Sequence, residues 1–179
     1  GAGAIQVRDK RPNIRDTLLM AEQLLKICNE YEVACIINDR VDVAVAIGAD
    51  GVHLGQQDLP AKDARRLMKP WQIIGTSNAL FGEAQVAIEE NVDYVAVGDI
   101  FGTKSKNDTR PAGIELLRQV RGLIPMQGPP LIAIGGINAS NVSQTACAGA
   151  DGIAVMSAVT QAQDPTLAVR RLLKNFFCY

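Results

Sequence analysis

One short phrase recurs along the chain and restricts the folds open to it. Gly48-Ala49-Asp50-Gly51 precedes Val52-His53-Leu54, and Gly149-Ala150-Asp151-Gly152 precedes Ile153-Ala154-Val155. Looser versions accompany them: Gly1-Ala2-Gly3-Ala4 before Ile5-Gln6-Val7, and Asn91-Val92-Asp93 before Tyr94-Val95. Each reads as a helix end closed by a left-handed Gly or Asn, followed by a tight turn into a strand. A chain that repeats a helix-to-strand hinge must alternate the two elements.

Short apolar runs bounded by Gly or turn residues predict strands at Ala4 to Arg8, Ala34 to Asn38, Val52 to Leu54, Ile73 to Gly75, Tyr94 to Val97, Leu131 to Ile134 and Ile153 to Val155. Segments with helical periodicity separate them, Ile14 to Glu30 and Ile114 to Leu123 among them. Alternation of this kind builds a parallel sheet with right-handed crossovers, either open and doubly wound or closed as a (β/α)8 barrel. No GxGxxG follows the first strand, which weighs against the dinucleotide-binding version. Polar residues inside or at the ends of successive strands (Gln6 and Arg8, Asn38 and Asp39, Ser77, Ser157) suit a barrel in which many strand ends face one centre.

The strand count falls one short, and 179 residues lie below the roughly 200 to 250 usual for such a barrel. The chain also starts without methionine, at residues resembling the hinge after an absent helix. The expectation is a single TIM-barrel domain over 1–179 with its first strand and helix missing from this chain. The unpaired edges and apolar flank this would leave favour instability or a homo-oligomer.

Eighteen Lys and Arg against nineteen Asp and Glu give a net charge of -1, so no nucleic-acid tract or membrane-attracted basic face is indicated. No apolar run approaches a membrane span, and a soluble protein of the cytoplasm, or of an organellar stroma in a eukaryote, is expected. Cys28, Cys35, Cys147 and Cys178 lack metal or redox spacing and read as buried free thiols. His53 is the only histidine, in an apolar strand, and reads as packed against a helix or edge.

Gln6, Arg8 and Lys10 alternate at the end of the first strand, which puts their side chains on one face. Cations held together there suit a diphosphate, bound by Arg as a fork and by Lys as a point charge; a solvated strand end is the alternative. Asp39 closes the second strand and Asp58 follows the third. Together they fit a Mg²⁺ that bridges to phosphate oxygens, although each equally fits a helix cap, near Val41 and near Pro60. After Tyr94 to Val97 the chain opens at Gly98 into a loop carrying Thr103, Ser105 and Lys106, suited to binding an anion. Gly135-Gly136 and Met156-Ser157 end the last two strands, where barrels often hold phosphate on backbone N–H groups.

Seven ordered pieces resemble thiamine phosphate synthase: Gln6-Val7-Arg8-Asp9-Lys10, Asn38-Asp39-Arg40-Val41-Asp42, Gly51 to Asp58, Gly75-Thr76-Ser77, Gly98 to Lys106, Ile134-Gly135-Gly136-Ile137 and Val155-Met156-Ser157-Ala158. The resemblance implies a barrel that joins 4-amino-2-methyl-5-hydroxymethylpyrimidine diphosphate to 4-methyl-5-(2-phosphoethyl)thiazole and releases diphosphate. It implies that Gln6, Val7, Arg8, Asp9, Lys10, Asn38, Ser77 and Lys106 hold the pyrimidine diphosphate, with Arg8, Lys10, Ser77 and Lys106 closest to the chemistry. Asp39 and Asp58 would hold Mg²⁺, and Thr103, Lys104, Ser105, Gly136, Met156 and Ser157 the thiazole phosphate.

The chain departs from the family at Asp99 and Gly102, where the family loop usually carries Pro. Asp99 adds negative charge near an anion site and Gly102 loosens the loop, so weaker thiazole-phosphate binding is expected. Two other readings stand beside the synthase. One is a thiazole tautomerase, which has no use for a metal–diphosphate clamp. The other is a non-catalytic ligand-binding remnant or part of a fused polypeptide.

Overall fold

The computed structural model describes residues 1–10, 13–102 and 112–177. The chain forms two compact units, Ala2–Thr76 and Ser77–Tyr179, the latter with Gly1. The first contains β1 (Ala4–Val7), α1 (Ile14–Glu30), β2 (Ala34–Asn38), α2 (Val41–Ile47), β3 (Gly51–Leu54), α3 (Ala61–Leu67) and the start of β4 (Ile73–Asn78). The second continues with α4 (Phe81–Glu89), β5 (Tyr94–Val97), α5 (Gly113–Leu123), β6 (Leu131–Ile134), α6 (Val142–Cys147), β7 (Gly152–Ala154), α7 (Ser157–Thr160) and α8 (Pro165–Phe177).

In the first unit β1, β2, β3 and β4 pair in parallel and in sequence order; in the second β5, β6 and β7 do the same. A doubly wound sheet reverses its strand order at a switch point. Strict sequence order is the (β/α)-barrel pattern, as expected, with seven strands among the described residues. No helix among them is long and apolar enough to cross a membrane.

Register sorts the strand residues of the first unit onto two faces. Val7, Ile37, Val52 and Ile74 lie in one row, all buried. Cys35, two residues before Ile37, meets Cys28 of α1, so this face packs on the helices. Burial, the neighbouring Cys28 thiol and Asp50 push the Cys35 thiol up to about 12. The opposite face carries Asn38, His53 and Gly75 in register. His53 is therefore buried on the side away from the helices, not against one as expected.

The recurring phrase does more than turn the chain. Gly48, Asn91 and Gly149 adopt positive φ, as the hinge requires. The aspartates then reach sideways: Asp50 Oδ2 accepts the Cys35 N–H at 2.7 Å, and Asp151 Oδ2 accepts the Leu131 N–H at 2.8 Å. Each satisfies a backbone donor of the preceding strand, which would otherwise be left without a partner in the core. Arg121 Nη1 donates to the same Asp151 oxygen at 2.9 Å.

Some expectations need correction. β1 ends at Val7 and β7 at Ala154, each one residue early, whereas β4 runs three residues past Gly75. Cys147 is exposed, unlike Cys28 and Cys35, because it ends a helix of six residues; Cys178 lies outside the described residues. Replacing Asp151 with Ala leaves the Leu131 N–H without its acceptor, and should lower unfolding free energy by about 1–3 kcal/mol in urea titrations.

Candidate active site

The first unit gathers charge at the carboxyl ends of its strands. Asp39 follows β2 in a left-handed conformation, φ 65°, uncommon for a residue with a side chain and a mark of functional positions. Its N–H donates to the His53 carbonyl at 2.8 Å. Its Oδ2 takes the Lys10 ammonium in an ion pair. Asp58 curls back after β3 to accept the Gly55 N–H at 2.6 Å. Neither aspartate caps a helix: α2 and α3 start after Arg40 and Pro60 without any side-chain cap. The capping alternative thus fails for both.

The two carboxyl groups hydrogen-bond each other, and their environments drive them apart. Burial alone would raise Asp39, but the hydrogen bonds from Lys10 and Asp58 and the Lys10 and Arg8 charges outweigh it and leave its pKa lowered. Asp58 is raised by burial, with Asp39 adding to the shift against the Gly55 N–H and Lys10. A shared proton between close carboxylates is what a divalent cation can replace. Among the described residues no group of three or more His, Cys, Asp or Glu could hold a metal ion. The Asp39–Asp58 pair still fits Mg²⁺, which commonly takes one or two carboxylates and completes its shell with water and phosphate.

The neighbours divide by role. Gln6, Arg8 and Lys10 are exposed, while Asn38 is half-buried. The Asp9 carboxylate accepts the Thr17 hydroxyl of α1 at 3.0 Å and the Val7 side chain is buried, so these two anchor the segment that presents Arg8 and Lys10. Arg40 is drawn off to Asp42 through two hydrogen bonds, 2.8 and 2.5 Å.

In the second unit the exits of β5 and β6 lock together. Ile100 N–H donates to the Ile134 carbonyl at 3.0 Å, Phe101 N–H to the Gly135 carbonyl at 3.1 Å, and Ala112 N–H to the Asp99 carbonyl at 2.6 Å. Asn141 Nδ2 donates to the Gly136 carbonyl at 3.0 Å. With both glycine carbonyls engaged, the polar groups left to the Gly135–Gly136 turn are its amides. Gly102 has φ 79°, a value proline cannot adopt; a glycine at this position suits the bend rather than merely loosening it. Met156 and Ser157 are exposed at the start of α7, a helix of four residues, and Ser77 is half-buried on β4. Thr103, Lys104, Ser105 and Lys106 lie outside the described residues.

Sequence reasoning passed over Asn78 and Asn141. Asn78 is buried and ties β4 to β5, donating to the Ala96 carbonyl at 3.2 Å and accepting the Gly98 N–H through its own carbonyl at 3.2 Å. Its signal was an Asn at the end of an apolar strand. A surface depression of about 430 Å³ lined by Leu80, Phe81 and Leu116 contains none of the expected site residues.

Parallel strands paired in sequence order, with charged residues gathered at strand carboxyl ends, place the chain in the class of (β/α)-barrel enzymes, whose sites lie at that face. The comparisons narrow that class. The family model for thiamine monophosphate synthase matches residues 1–159. Thiamine-phosphate synthase of Roseiflexus sp. (strain RS-1) is 45% identical over 173 residues, 96% of this chain and 72% of that protein. The Methanoculleus marisnigri protein of the same name is 46% identical, covering 96% and 81%. The structure of thiamine phosphate pyrophosphorylase from Pyrococcus furiosus superposes with a TM-score of 0.88 at 38% identity, covering 98% of this chain and 83% of that one. This chain belongs to the thiamine monophosphate synthase family.

Mg²⁺ with inorganic diphosphate should raise the melting temperature by several degrees, about 2–4 °C per kcal/mol of binding. Asp39→Ala should abolish that increment in scanning calorimetry, and Arg8→Ala should reduce it.

Proposed function

We propose that this chain condenses the pyrimidine diphosphate with the thiazole phosphate to give thiamine phosphate and diphosphate. The observation that carries this reading is the cluster of Lys10, Asp39 and Asp58 with Arg8 acting on it. A thiazole tautomerase has no use for such a clamp.

Arg8 and Lys10, presented just past β1, meet the diphosphate. Asn38 and Ser77 hold the pyrimidine end and Lys106 neutralises the leaving oxygens. Mg²⁺ bound by Asp39 and Asp58 would supply further positive charge to the diphosphate as negative charge builds on it. The electron-rich pyrimidine carries the positive charge left on its methylene carbon. Thr103, Lys104, Ser105, Gly136, Met156 and Ser157 grip the acceptor phosphate, which orients the thiazole nitrogen toward that carbon and supplies proximity. The bond to diphosphate breaks, the carbon–nitrogen bond forms, and no protein nucleophile takes part.

Supplied with both substrates and Mg²⁺, the protein should form thiamine phosphate. Asp39→Ala and Lys106→Ala should each lower kcat/KM by about 10²-fold or more, measured by chromatographic product assay. Binding of both substrates with no product would sink the synthase reading.

A further inference from the structure

We propose that Asn141 is a positioning residue for the acceptor phosphate, setting the direction in which the peptide between Gly136 and Ile137 offers its N–H. The inference rests on reading the Gly135–Gly136 turn as the acceptor-phosphate site.

A peptide unit is planar, so its carbonyl and its N–H point opposite ways, and whatever holds the one aims the other. Gly135 and Gly136 have φ 104° and 63°, and glycine restrains its own backbone least, so the aim of this turn has to be set from outside. Its two carbonyls are held by different means. That of Gly135 accepts a backbone donor, the Phe101 N–H, at 3.1 Å. That of Gly136 accepts side chains: Asn141 Nδ2 at 3.0 Å, and Asn138 Nδ2 at a longer 3.4 Å. The direction of the Ile137 N–H is therefore governed chiefly by one carboxamide.

Asn141 is itself well held. Its Oδ1 accepts the Asn138 N–H at 2.8 Å, so both ends of the carboxamide are used. The loop it stands on is closed by the Asn141 and Val142 N–H groups, which donate to the Asn138 carbonyl at 3.2 and 3.0 Å. From α8, Asn175 Nδ2 donates to the Ala139 carbonyl at 2.7 Å. Among the described residues no backbone carbonyl takes the Gly136 or Ile137 N–H. Successive amides of this kind are what a turn offers to an anion. Without the Asn141 carboxamide the peptide loses its hold, and an N–H turned off line loses most of its bond to a phosphate oxygen. An acceptor with a plain hydroxyethyl arm brings no anion to these amides, so their aim does not affect it.

Calorimetric titration of the wild type and Asn141→Ala with 4-methyl-5-(2-phosphoethyl)thiazole and with its dephosphorylated alcohol tests this independently of turnover. Expected is about tenfold weaker binding of the phosphate ester by the variant, the order of one hydrogen bond to a charged group, with the alcohol's affinity unchanged. In steady-state kinetics KM rises for the thiazole phosphate and not for the pyrimidine diphosphate. A merely structural role lowers the melting temperature and leaves the ratio of ester to alcohol affinity as it was. That result, a rise in KM for both substrates, or no measurable binding of the ester to the wild type overturns the proposal. Asn141→Ser serves in the same way if the alanine variant fails to give a cooperative melt. Product formation by the wild type, assayed in parallel, tests the synthase reading separately.

Discussion

A parallel strand exposes backbone donors that its own crossover helix cannot satisfy, and this chain answers with an aspartate reaching sideways. Asp50 and Asp151 each accept an N–H of the preceding strand immediately before their own begins. The interaction couples three features at once: the helix end, the register of the strand pair and the start of the next strand. Because register in a sheet fixes which side chains share a face, the positions of Asn38 and His53 on the site-bearing side follow from it. The chemistry at one end of the strands is arranged by hydrogen bonds at the other.

At the carboxyl ends the governing problem is charge. Of two carboxyl groups that share a hydrogen bond, Asp39 is lowered by Lys10, Asp58 and Arg8 against its burial, whereas burial and Asp39 raise Asp58. The left-handed backbone at Asp39 turns the chain between β2 and α2 where its carboxylate meets Lys10.

Much of this was legible in the sequence. The hinge phrase, the strand order and the candidate residues of the β1 to β3 ends followed from periodicity and turn chemistry, because the physical rules involved are local. What escaped was non-local. Whether Asp39 and Asp58 cap helices or face each other depends on a hydrogen-bonded pair nineteen positions apart, which spacing alone leaves open. For His53, expected against a helix or edge, a single apolar strand does not say which face is inward; only its register with Asn38 and Gly75 does. Asn78 and Asn141 act by organising backbone groups of other residues, so no motif of their own marks them.

The contrast among the thiols gives the molecule a chemical address. Cys28 and Cys35 are buried together, with Cys35 held protonated through the range where thiol reagents are used. Cys147 is the exposed one among the described cysteines, at the end of α6, four residues before Asp151, which clamps Leu131. A fluorophore attached there would sit four residues from Asp151 and its hydrogen bond to Leu131, reporting the integrity of that junction.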